Sequence, residues 1–294
     1  MAGAHAQCGS ASRLHGWTIR EIRFDIQSAD LAGLDKATYW NRNMGARLPG
    51  PPCFRYVVEF VVQFQETPST MSRTKLFSRQ AWDKNASIYE VIRTMPFNAQ
   101  LASGTLSAAR FKHYITQDAH YLIGFGRALT LAAAKAPNPD RIVQFAKAAE
   151  GALVVERALH GSFFKQYGIT PRAFAQTPLS PACHHYISYL LATAYAEPYE
   201  VLLGALLPCF WIYAEVGRDI HARARAANPY QAWIDTYAGE EFHAAVRAVI
   251  AATDEAAADV SPSLRVRMHA AFTRATQLEW VFWDSAFRLE TWPV

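Results

Sequence analysis

Long hydrophobic runs are missing from this 294-residue chain, and so are the short motifs that usually announce a metal or a disulfide framework. The longest apolar stretch, Val201 to Ala214, contains Pro208 and falls short of the roughly 20 residues that span a bilayer. It reads as a buried core helix, and no membrane partner is expected. The four cysteines, Cys8, Cys53, Cys183 and Cys209, share no CxxC spacing and are too sparse for a disulfide scaffold, which suits a reducing compartment. Cytoplasm is the default expectation. No HExxH motif or Cys/His cluster is present. The opening MAGAHAQCGSASRLHGW lacks both the basic start and the apolar core of a signal peptide. Charge of one sign is also scarce, with 29 Lys and Arg against 25 Asp and Glu. No basic run interleaves with aromatics, so no nucleic-acid partner is expected.

What is present is an apolar fraction of 51%, enough to bury a sizeable core. The character of the chain changes near residue 70. Before that point lie irregular segments, PGPPC at 49 to 53 and TPST at 67 to 70, and one isolated β-branched, aromatic run at 56 to 64 (YVVEFVVQF) with no partner hairpin. Met71 opens a segment that reads as an ordinary start. Residues 1 to 70 are therefore expected to be an N-terminal extension whose translation in the cell is open, and 71 to 294 the main domain.

From Phe77 onward the pattern is helical. Phe111, Tyr114, Ile115, Tyr121, Leu122 and Phe125 recur at spacings of three and four, and strand alternation is absent. Ser180 before Pro181 and Ser261 before Pro262 are helix starts: a hydroxyl caps the free N–H groups, and proline lacks the N–H that the first turn leaves unpaired. APNPD at 136 to 140, YGITP at 167 to 171 and AANPY at 226 to 230 read as stops. The alanine-rich run 244 to 258 is a strong helix former. No internal repeat is visible. The expectation is an all-α fold of about seven helices.

Several residues on these helices invite a chemical reading. Asp118 shares a face with Tyr121, Leu122 and Phe125, and a carboxylate turned inward must find partners or change its ionisation; a solvated position at the edge of that face is an equal alternative. His120 lies off the face and is structural. Pro208 should kink or interrupt its helix and open space beside Cys209, although a buried cysteine more often serves as a small hydrophobe. A nucleophilic Cys209 would need a base or a positive dipole nearby. Glu279 sits in a stripe with Phe282, Trp283 and Phe287, where desolvation would raise its pKa, unless it pairs with a cation such as Arg274. Tyr186, Tyr189, Tyr213 and Tyr237 add phenols for stacking and hydrogen bonding, or simply aromatic core. Glu156 with His160, and Glu215 with His221, are weak metal candidates and more often solvated pairs. Cys183, beside His184 and His185, is non-catalytic, because adjacent residues on a helix point in different directions.

Taken in order, PFNAQLASGTLSAARFKHYITQDAHYL, LSPACHHYISYLLATA, LLPCFWIYAEVG, WIDTYAGEEF and EWVFWDSAF give the chain a resemblance to the TenA/thiaminase II family over about Phe77 to Trp292. Residues 1 to 70 match nothing in that pattern. The resemblance implies a compact helical bundle of the haem-oxygenase-like type, a homotetramer, no cofactor and no metal. It implies hydrolysis of 4-amino-5-aminomethyl-2-methylpyrimidine to the hydroxymethyl pyrimidine in thiamin salvage, with thiamin as a second small-molecule substrate. Carried over by motif, Cys209 is the nucleophile, Glu279 the acid, and Asp118 a catalytic and pyrimidine-binding carboxylate. Tyr121, Tyr186, Tyr213 and Tyr237 line the substrate. Two rivals stand beside this: a metal- or oxygen-dependent enzyme on the same fold, which metal analysis would separate, and a non-catalytic pyrimidine- or thiamin-binding protein, which turnover would separate.

Overall fold

Ten helices, seven of them long, account for most of residues 76–294, the part of the chain that the computed structural model describes; they lie within the unit Arg73–Val294. The strand expected at 56 to 64 and the extension as a whole lie outside the described residues. In chain order the helices are α1 (Phe77–Thr94), α2 (Pro96–Ser103), α3 (Ala108–Lys135), α4 (Pro139–Gln166), α5 (Pro171–Gln176), α6 (Pro181–Ala196), α7 (Tyr199–Arg223), α8 (Gln231–Ala238), α9 (Glu240–Ala256) and α10 (Pro262–Arg288). No strand occurs among the described residues. The all-α expectation holds, and the count of about seven matches the long helices; α2, α5 and α8 are short.

The helix starts form as the sequence dictates. Ser180 Oγ accepts from the Cys183 N–H at 3.2 Å, and Ser261 Oγ accepts from the Leu264 N–H at 3.2 Å, with Pro181 and Pro262 in the first turn. The segments read as stops also carry starts: Asn138 Oδ1 caps the Arg141 N–H at 2.9 Å, and Thr170 Oγ1 caps the Ala173 N–H at 3.1 Å. AANPY does more than break the chain. Asn228 is buried and donates from Nδ2 to the carbonyls of Leu101 and Ala102, at 2.8 and 3.1 Å, which ties the loop before α8 to the end of α2.

Four long helices, α3, α6, α7 and α10, each pack against the other three and enclose the centre of the molecule. Helix α4 covers the outside of α3, α1 and α9 flank the α7/α10 pair, and α8 lies against α7. Every position in the α3 stripe from Phe111 to Phe125 is buried as its spacing predicts. Helix α7 is buried along most of its length. Although its length and composition would suit a membrane span, 83% of its apolar window is buried inside the bundle, so it serves as the core helix that the sequence predicts.

Of the two effects expected at Pro208, interruption does not occur: the helix runs continuously from Tyr199 to Arg223. Pro208 withholds an N–H from the Gly204 carbonyl, but burial on all sides keeps the helix together. Two glycines set how closely its neighbours approach. A Cβ on Gly204 would lie 2.7 Å from the Met268 carbonyl oxygen of α10, and one on Gly217 would lie 2.8 Å from the backbone of Tyr237 in α8.

Candidate active site

The centre of the four-helix core gathers the residues that the sequence singles out. Asp118 and Tyr121 come from α3, Tyr186 from α6, Cys209 and Tyr213 from α7, and Glu279 from α10; Tyr237 approaches from α8. All seven are buried. Asp118 and Glu279 are each only 1% exposed, which removes the solvated alternative for Asp118. The set is brought together in a closed interior. An open groove of about 300 Å³ between Ser87, Ile88, Val91 and Trp280 carries none of these groups.

Glu279 accepts a hydrogen bond from the Tyr186 hydroxyl at 2.7 Å, not from Arg274. Burial disfavours its charged form and raises its pKa from 4.5 to about 8; the Tyr186 hydrogen bond opposes that rise and the nearby Asp118 charge reinforces it. At neutral pH Glu279 is therefore a protonated acid, as its aromatic stripe predicts. Tyr186 stands beside Tyr121, their ring centres 4.8 Å apart, and Tyr121 packs in turn against Phe282 at 5.5 Å. The Tyr121 phenol makes no hydrogen bond of ordinary geometry. Burial raises its pKa most, and the neighbouring Cys209, Tyr186 and Glu279 groups raise it further, in that order. Cys209, 7% exposed, also interacts electrostatically with Tyr186, the phenol that donates to Glu279. A buried thiol that interacts with the Tyr121 and Tyr186 phenols is a candidate nucleophile.

Asp118 anchors a second, connected network. Its Oδ2 lies 3.0 Å from His160 Nε2 of α4, and its Oδ1 lies 3.5 Å from the Tyr213 hydroxyl. Tyr213 accepts from Trp283 Nε1 at 3.0 Å and faces the Tyr114 hydroxyl at 3.4 Å; Tyr114 accepts from Trp233 Nε1 at 3.2 Å. Tyr237 packs on Tyr213 and Trp233, with ring centres 5.1 and 4.7 Å away. Burial raises the Tyr213 pKa well above 10, and the neighbouring Tyr114, Asp118 and Glu279 groups add to it.

Other candidates fall outside this centre. Cys183 is buried, its thiol donates to the Gln117 carbonyl at 3.4 Å, and burial with the Asp118 charge pushes its pKa far up, which leaves it unreactive. His184 and His185 are exposed. His120 stacks on Phe174, with centroids 4.1 Å apart, as a structural residue. Tyr189 donates to the Ala271 carbonyl. Glu215 pairs with Arg218 and Trp211 rather than with His221, and the Glu156 side chain lies outside the described residues. Among the described residues no three His, Cys, Asp or Glu side chains converge as a metal-ligand set. Tyr114, Trp233 and Trp283 are neighbours of the site residues to which the sequence assigns no role there, and His160, a weak metal candidate with Glu156 in the sequence, instead pairs with Asp118. For His160 a signal existed: Phe145, Ala149, Ala152, His160 and Phe163 continue one inward stripe of α4 at helical spacing.

An all-helical bundle with an acid, a carboxylate and a thiol buried among aromatic side chains is the class of protein that fold and site define, and comparison with known proteins gives its family. It belongs to the TENA/THI-4/PQQC family, which it matches over residues 82–289. It is 32% identical, over 216 residues, to the aminopyrimidine aminohydrolase of Bacillus subtilis (strain 168), covering 74% of this chain and 92% of that one. It is 35% identical over 212 residues to the thiamine biosynthesis multifunctional protein ThiED of Corynebacterium glutamicum, covering 72% of this chain. The chain spans only 27% of that longer relative's length. Among solved structures, a TenA homologue from P. horikoshii OT3 superposes with a TM-score of 0.66 at 28% identity, covering 73% of this chain and 99% of the other. The resemblance read from the motifs is thereby established at the level of family and fold.

Proposed function

We propose that this protein hydrolyses aminopyrimidines, converting 4-amino-5-aminomethyl-2-methylpyrimidine and water to the hydroxymethyl pyrimidine and ammonia, with thiamin as a further substrate cleaved at the same methylene. The observation that carries the proposal is Glu279, a buried acid with a pKa of about 8 that is linked through the Tyr186 phenol to Cys209. An aminopyrimidine ring resists attack by a thiolate unless a ring nitrogen takes up charge. Glu279 gives its proton to that nitrogen while Cys209 adds to a ring carbon. The electron pair gained by the ring then expels the amine from the methylene as ammonia, which takes the proton that Cys209 gave up on becoming thiolate. Water adds its hydroxyl to the methylene carbon, thiolate leaves and takes the proton that water released, the nitrogen returns its proton to Glu279, and the ring regains aromaticity. Asp118 accepts from the exocyclic amino group; Tyr121, Tyr186, Tyr213 and Tyr237 stack on and orient the ring.

The role named for the Bacillus relative supports the reaction. The same reading makes the protein a cytoplasmic homotetramer acting in thiamin salvage without a cofactor, and treats residues 1 to 70 as an appended extension. Ammonia release from the aminomethyl pyrimidine tests it directly. Stoichiometric ammonia and hydroxymethyl pyrimidine are expected from the purified protein; saturable binding without product would leave only a binding protein.

A further inference from the structure

The carboxylate of Asp118 is held from two sides, and the two sides are unequal. Toward Oδ1 runs a chain that begins at two indoles: Trp233 Nε1 donates to Tyr114, Tyr114 faces Tyr213, and Trp283 Nε1 donates to Tyr213 as well. An indole N–H donates and never accepts. The phenol protons are therefore driven along the chain toward Asp118, but the last two links are long, 3.4 and 3.5 Å. On the other side His160 Nε2 lies 3.0 Å from Oδ2, with both side chains buried. A carboxylate accepts, so Nε2 carries the proton of that contact. The shorter contact sets the plane of the carboxylate.

We infer that His160 is a positioning residue for substrate choice: by donating to Oδ2 it fixes the rotation of the Asp118 carboxylate so that the site takes a 4-aminopyrimidine and rejects the 4-oxo analogue. The inference rests on the proposed pyrimidine-binding role of Asp118. An exocyclic amino group offers N–H donors to a fixed acceptor, whereas an oxo group brings a second acceptor with no proton between them. A carboxylate free to rotate loses part of this discrimination, because it can turn its oxygens away from the oxo group. In this inference His160 acts on the substrate through Asp118.

The test compares the wild-type chain with His160→Gln, His160→Asn and His160→Leu. A glutamine amide nitrogen reaches the place of Nε2 and can donate to Asp118; an asparagine amide reaches only the place of Nδ1; leucine fills volume without donating. The readouts are KM and kcat for 4-amino-5-aminomethyl-2-methylpyrimidine, the inhibition constant of its 4-oxo analogue, and a thermal melt of each variant. His160→Leu and His160→Asn are expected to raise KM by about 10-fold or more, the effect of one lost hydrogen bond to a charged group, and to narrow the amino-over-oxo preference by a similar factor, with kcat moving less. His160→Gln should recover most of both. Should leucine fail to fold, the Gln/Asn pair decides alone. Unchanged KM and selectivity in the folded non-donating variants overturn the inference, and so does the reverse order, with Asn active and Gln impaired, which marks a role carried by Nδ1. A wild-type protein that releases no ammonia fails at the earlier step, overturning the hydrolase reading and this inference with it; an active one isolates His160.

Discussion

Glu279→Gln should yield a protein that is inactive and, at alkaline pH, more stable than its parent. The folded-state pKa of Glu279 is raised from 4.5 to about 8. A raised acid means that the folded protein holds a proton that the unfolded chain has already released between those two values, so stability declines as pH rises through that window and levels off above it. At 1.36 kcal/mol per pH unit, the window corresponds to about 5 kcal/mol at full extent. Glutamine keeps a carbonyl oxygen to accept the Tyr186 hydroxyl that Glu279 accepts at 2.7 Å, and it never ionises. Denaturant unfolding at pH 5, 7 and 9 measures this. The two proteins should lie close together at pH 5, and the variant should exceed the parent by several kcal/mol at pH 9, while its turnover is lower by orders of magnitude at every pH. Because the acid must be protonated to charge the ring, kcat/KM of the parent should also fall as pH rises past about 8. Parallel stability curves across pH 5 to 9 would refute the argument that Glu279 is a desolvated, neutral acid.

Three further outcomes are expected. Cys209→Ser should lower kcat by about three orders of magnitude with little change in melting temperature, whereas Cys183→Ser, which keeps a donor to the Gln117 carbonyl, should retain kcat within a few-fold; kinetics with parallel melts distinguish a nucleophile from core packing. Gly217→Ala pushes a methyl to 2.8 Å from the Tyr237 backbone and should cost about 1–3 kcal/mol in a denaturant titration while raising KM through the displaced phenol. Mass spectrometry of the protein from its native cells should find no peptide from residues 20 to 60 if Met71 is the start used there, and one such peptide ends that reading.

The parts of the fold that depend on neighbours within one helix are legible in the sequence. The α3 stripe, the serine and proline starts of α6 and α10, and the helix over the alanine-rich run all follow from spacing and capping. So does the desolvated setting of Glu279, because its aromatic neighbours lie one helical turn away. Partners contributed by other helices are another matter. Asp118 meets His160 across 42 positions and Tyr213 across 95, and no local pattern encodes either contact. Pro208 shows the converse. Its local effect on a helix is real, but at a fully enclosed position the packing around α7 outweighs it.

Gly204 and Gly217 bracket Cys209 on α7, about 8 and 12 Å away along the helix axis. At each glycine the helix rests on a neighbouring backbone, that of Met268 in one case and Tyr237 in the other, with no side chain of its own between. Main-chain seats of this kind act as end stops, so the thiol's height in the bundle is registered by peptide units rather than by the shapes of core side chains. Apolar residues elsewhere in the core can then drift in size across generations without sliding the thiol along its axis, and sequence change should be tolerated around those two seats far more readily than at them.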